Sequence, residues 1–266
     1  MQHLGKRGEI MKEKKYLLNS CGEKICVETY TPKIIDSTIV FCHGITGCRK
    51  GRTMDDSYFQ DLAIKLMNNN YKVILFDYSG HGESEGNDYE VCLTKSVDEL
   101  SKVFENEVLD KNNVSFLVFS YGAAVLCEFL KNNENIIPNK IIMYSPCLYP
   151  LESCFLTDKS IFGKDILKSY NNGSLKKEGF TIVGAKNFRF GMKMIDECKT
   201  FSPDYFKKFN DRIIILFGKN DVILDTSYNE KYCEENSIKK YYLNASHSLF
   251  EQIDDAFDIT IDYLNK

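Results

Sequence analysis

NVSFLVFSYGAAVLCEFLKNN, residues 113–133, changes its periodicity half-way along. Val114 to Phe119 form a short apolar run broken only by Ser115, as a strand covered on both faces requires. From Tyr121 onward good helix formers take over (Ala123, Ala124, Leu126, Leu130), so a strand runs straight into a helix at Ser120. Similar units flank this junction. STIVFCHG (37–44), YKVILFDYSG (71–80), KIIMYSP (140–146), RIIILFGKND (212–221) and KKYYLNAS (239–246) read as further strands. DDSYFQDLAIKLMNN (55–69), Val91 to Leu109 and 249–264 carry helical spacing. KYLLNS and KICVETY, joined by Cys21-Gly22-Glu23, predict an N-terminal β-hairpin. Apolar strands alternating with amphipathic helices predict an α/β fold with a mostly parallel sheet and helices on both faces.

The alternation stops between Pro146 and Arg212, and a structureless loop of that length does not belong in a compact domain. Residues 147–210 are therefore expected to form a cap or lid inserted after the sixth strand. The core is expected from 14–146 and 211–266, with 1–13 as a flexible N-terminal extension. Phe155, Phe162, Tyr170, Phe180, Phe188, Phe190, Phe201 and Phe206 give the insertion an aromatic character. They can pack the cap onto the sheet, or some can line an apolar substrate pocket.

Composition narrows the function. A formal charge of −4 over 266 residues argues against a general nucleic-acid binder. No run approaches the roughly 18 apolar residues of a membrane span, and the opening residues lack the apolar core of a secretory signal. Ten cysteines fall short of a disulfide scaffold, lack CxxC spacing and mostly sit in apolar segments. We expect a reduced, cytoplasmic protein that needs neither metal nor cofactor, with a small molecule as its partner. Only four histidines are present: His3, His43, His81 and His247.

In open α/β sheets ligands gather at the carboxyl ends of the strands. Those ends carry His43-Gly44, Asp77 with a GHGES loop, Ser120, Asp221 and, just past the last strand, His247. The order Ser, Asp, His differs from that of chymotrypsin and subtilisin. With FCHGITG, FDYSGHGES, VFSYGAA, FGKND and ASHSL in this order, the chain resembles the α/β-hydrolase superfamily over residues 14–266. Among its members it looks most like intracellular acyl esterases of the cinnamoyl/feruloyl type. The resemblance implies a catalytic triad of Ser120, Asp221 and His247, with the backbone N–H groups of Ile45 and Tyr121 as an oxyanion hole. It implies hydrolysis of a small-molecule ester or thioester through an acyl-enzyme; a peptidase, an acyltransferase or a weak ligand-binding relative would use the same scaffold.

Each residue has a plainer reading beside it. Ser120 could be a helix N-cap. His43 could be a packed loop histidine, and His81 a structural or solvent-facing one. Asp225 rivals Asp221 but fits a helix N-cap, and Asp77 fits a role in tying down the GHG loop. Arg49, Lys50 and Arg52 could attract an anion, although a solvated loop is the simpler expectation. The chain departs from the G-x-S-x-G elbow at Val118. A β-branched residue there is expected to crowd the turn, shifting the elbow or narrowing the pocket.

Overall fold

A computed structural model describes residues 11–266. Most of the expected N-terminal extension, with His3, lies outside the described residues. Met11 to Glu13 do not: they open β1 (Met11–Leu18), paired with Thr31 to Thr29 of β2 (Lys24–Thr31) in the antiparallel hairpin. Next come β3 (Ser37–Cys42), α1 (Tyr58–Met67), β4 (Tyr71–Phe76), α2 (Leu93–Glu107), β5 (Val114–Phe119), α3 (Gly122–Asn132) and β6 (Ile141–Tyr144).

Beyond β6 the chain leaves the sheet. A π-helical turn at Pro150–Phe155 leads to α4 (Gly163–Asn171), α5 (Ser174–Glu178), the hairpin β7 (Phe180–Val183) and β8 (Phe188–Gly191), and α6 (Met192–Cys198). A return leg of kinked 3-10 turns, Pro203–Arg212, packs against α3 and feeds β9 (Ile213–Gly218). The chain closes with α7 (Ser227–Glu235), β10 (Lys239–Leu243) and α8 (Ile253–Leu264). The eight-stranded sheet has the order β1-β2-β4-β3-β5-β6-β9-β10. It is antiparallel from β1 to β4 and parallel from β4 through β10.

The strand side chains alternate between two cores, as a period of two demands. Val40, Cys42, Phe116, Val118, Met143 and Ile215 face α2, α3 and much of the insertion. Ile39, Phe41, Leu117, Phe119, Ile142 and Leu216 face α1 and α8. Both faces are buried, which is why these strands read as continuous apolar runs. Phe155, Phe162, Phe188, Phe190 and Phe206 are buried in the cluster on the α2–α3 side, and the Phe155 and Phe162 rings pack against Phe190, so these aromatics mainly serve packing. Among the described residues no helix is long and apolar enough to cross a membrane.

Candidate active site

The strand-to-helix junction is held from three sides. Ser120 takes φ = 52°, a left-handed conformation that non-glycine residues rarely adopt. Its N–H donates to the Tyr144 carbonyl of β6 (3.0 Å), and its own carbonyl accepts from Cys147 N (2.9 Å) and Ala123 N (3.1 Å). These bonds fix the sharp turn and lift the side chain off the end of β5. At Gly122 a Cβ would stand 2.3 Å from the Cys42 carbonyl, so only glycine lets α3 start this close to β3. Strand alternation turns the Val118 side chain into the α2–α3 core, where it is fully buried, and the turn forms two residues later.

His247 lies on the loop after β10. Its Nδ1 is 2.7 Å from Asp221 Oδ2 and its Nε2 is 3.0 Å from Ser120 Oγ. A carboxylate can only accept, so Nδ1 carries the proton and Nε2 presents its lone pair to the serine hydroxyl. The Asp221 carboxylate, 1% exposed, also accepts through Oδ1 from the N–H groups of Ile223 (2.8 Å) and Leu224 (3.0 Å). The Phe119 ring packs beside the imidazole with centroids 5.2 Å apart. Ser120, His247 and Asp221, predicted from three strand ends, thus meet in one hydrogen-bonded row. Asp225 does not join it: its carboxylate accepts from Ser227 N and Oγ and pairs with Lys159.

Ile45 and Tyr121 flank the serine on the loop after β3 and at the head of α3. Neither backbone N–H donates to another group among the described residues. At Gly44 a Cβ would approach the Phe119 ring to 2.9 Å and Ser120 Cβ to 3.0 Å, so this glycine brings the loop against the serine. Two neutral imidazoles brace that loop from behind. His43 donates Nδ1–H to the Gly44 carbonyl (2.8 Å) and accepts Tyr78 N–H at Nε2 (3.0 Å). His81 donates to the Ser79 carbonyl (3.0 Å) and accepts Thr46 N–H (3.3 Å). Burial lowers their pKa values, His43 to about 4 and His81 to about 3, the latter helped by the neighbouring His43. Both therefore stay neutral, and acceptors, near neutral pH.

Arg49 corrects one expectation. It is not on a solvated loop but 1% exposed, with its guanidinium paired to Glu28, Asp77 and Glu83. Asp77 also accepts from Glu83 N, tying down the GHG loop as expected, and from Arg49 N of the loop after β3. Lys50 turns away to the Met54 carbonyl. Cys42 and Cys48 are poor nucleophile candidates, since burial pushes both thiols up, that of Cys42 to about 12.

A pocket of about 320 Å³ opens above Ser120 and His247. Ile45, Phe119, Val222 and Ile223 of the core and Phe162 of the insertion supply its apolar lining. Arg52 and Lys186 also line it. Lys186, in the turn between β7 and β8, was not singled out by the sequence reading. The G-A-K-N turn marks it as a hairpin tip, but nothing local reveals the loop it would touch 140 residues away.

The family model described as Serine aminopeptidase, S33 matches residues 34–169, about half of the chain and the part holding Ile45, Ser120 and Tyr121. The chain belongs to this family. No curated protein matches the S33 chain significantly. Solved structures share its fold at low identity. Est1E from Butyrivibrio proteoclasticus, with ferulic acid bound, has a TM-score of 0.71 and 13% identity, over 95% of this chain and 100% of that one. An esterase from Exiguobacterium antarcticum gives 0.69 and 18%, over 96% and 100%. An esterase from Pyrococcus furiosus gives 0.66 and 16%, over 96% and 91%. The S33 chain therefore has the α/β-hydrolase fold along nearly its whole length.

Proposed function

We propose that this S33 hydrolase is a serine esterase acting on carboxylic esters of small acyl or aromatic acids. The observation that carries the reading is the row Asp221–His247–Ser120, set beside two backbone N–H groups without a partner among the described residues. Ser120 Oγ attacks the ester carbonyl carbon while its proton passes to His247 Nε2. The carbonyl oxygen becomes an oxyanion that accepts from Ile45 N–H and Tyr121 N–H. Collapse breaks the bond to the leaving oxygen, which takes the proton from His247 and departs as the alcohol. Water, deprotonated by the same nitrogen, then releases the acid and restores the serine. Asp221 keeps the imidazole in the tautomer that can accept. Residues 147–210 act as the cap, contributing Phe162 and Lys186 to the pocket wall.

The family is described as a serine aminopeptidase family, which supplies a second reading. Such an enzyme must hold a cationic α-amino group, whereas the described residues lining the pocket include two cations and no carboxylate, which favours esters. The ferulate in the Est1E structure motivates including hydroxycinnamates beside aliphatic esters and thioesters in a substrate panel. A cytoplasmic setting belongs to the same proposal and fits ten free cysteines, nine of them buried. Replacing Ser120 with alanine should abolish both hydrolysis of p-nitrophenyl acyl esters and labelling by a fluorophosphonate. Undiminished turnover in that variant would end the assignment.

A further inference from the structure

The pocket holds positive charge, on Arg52 and Lys186, that no ion pair among the described residues consumes. Arg52 stacks over the Phe250 ring, with Cζ 5.0 Å from the centroid, and its guanidinium donates to no other described residue. Lys186 Nζ donates to the carbonyls of Thr46 (2.5 Å) and Arg52. Both partners are neutral, and an ammonium has a third donor left. Neither cation forms a salt bridge with another described residue. Asp56 and Glu251, whose fields reach these cations, accept instead from the backbone N–H groups of Thr53 and Ser246, and neither lines the pocket. The protein as a whole is negative, at −4, so this local excess runs against its overall charge.

We propose that Arg52 and Lys186 form an anion subsite, and that the natural substrate is an ester with an apolar body and a distal carboxylate or phosphate. The apolar walls receive the body next to the serine. The aromatic ring under Arg52 and the two carbonyls on Lys186 hold the cations in place before the ligand arrives, which reduces the ordering cost of binding. A planar guanidinium and an ammonium together suit an anion with two or three oxygens.

This inference rests on the esterase reading, so its test separates the two. kcat/KM is measured for monoethyl adipate against ethyl hexanoate, and for 2-(butyryloxy)ethyl phosphate against ethyl butyrate. The first pair carries the anion on the acyl side and the second on the alcohol side. At low ionic strength the charged member of at least one pair is expected to lead by tenfold or more. That lead should shrink in 0.5 M salt, where the screening length falls to a few ångströms. In an R52Q/K186Q double variant the ratio should fall to near one, and a ratio taken within one variant cancels any general loss. Equal rates within both pairs, or a ratio that the double variant leaves unmoved, overturns the subsite. If wild type cleaves none of these esters, binding of monoethyl adipate and ethyl hexanoate to Ser120→Ala is compared by NMR titration. Tighter binding of the anion, lost with both cations removed, supports the subsite; equal binding rejects it. Fluorophosphonate labelling of wild type reports separately on the serine chemistry.

Discussion

Ser120 occupies a left-handed backbone conformation that costs a serine on the order of 1–3 kcal/mol. The cost recurs only if the surrounding hydrogen bonds enforce it, so a residue indifferent to the sign of φ should relieve it. Ser120→Gly is expected to lose hydrolysis while gaining up to about 1 kcal/mol in urea unfolding; a clear loss of stability would remove the strain argument. Asp221→Asn tests the tautomer. An amide N–H facing His247 Nδ1 forces the proton onto Nε2, so kcat should fall about 10⁴-fold with little change in unfolding midpoint. At this scale the sequence was most legible where a residue ends a strand, because fold rules make that place informative without contacts. Arg49 was misread for the complementary reason: its partners lie 21, 28 and 34 residues away, and a charge beside glycines looks solvated until they arrive.

Among the elements, the β5–α3 junction is the most demanding. Gly122→Ala should push the helix start off Cys42, costing about 1–3 kcal/mol in denaturant unfolding and lowering kcat more than KM. An alanine variant with unchanged stability and turnover would mean that the helix shifts freely. The core strands and helices were legible because each buries enough apolar surface to set its own period. The insertion was legible only as an interruption. Its hairpin strands have four residues each, and their position is set from outside. Gly191 abuts the Tyr89 carbonyl, and Arg189 pairs with Asp88 at 2.7 Å, so residues about a hundred positions earlier decide where the hairpin sits.

Across the whole molecule, buried titratable groups set the response to acid. His43 and His81 remain neutral in the folded state to about pH 4 and 3, whereas unfolded histidines take up protons below about 6.5. Each therefore makes stability fall as the pH drops below 6.5, by about 1.4 kcal/mol per unit. Glu99, fully buried and accepting from Ser79 N and Asn19, works the other way: burial raises its pKa to about 6. Between about pH 4.5 and 6 the folded protein keeps a proton that the unfolded chain has released, so this term gains stability as the pH falls. Two histidines outweigh one glutamate. Stability in urea should be lower at pH 5 than at pH 7 by about 2–3 kcal/mol, and His81→Gln should make the slope between 4.5 and 6 clearly shallower. A protein that strengthens steadily on acidification would refute this balance.

The insertion leaves from the carboxyl end of β6 and re-enters at the amino end of β9, and these strands are parallel neighbours. Its two ends therefore lie a strand's length apart, and Pro203–Arg212 is the span that carries the chain back across α3. Modularity is accordingly one-sided. A chimaera that grafts a foreign lid between Cys147 and Lys199 retains the crossover and can still form β9. One that splices at residue 211 asks a few residues to bridge the sheet from edge to edge, so exchange between relatives should tolerate breakpoints before this span and not after it.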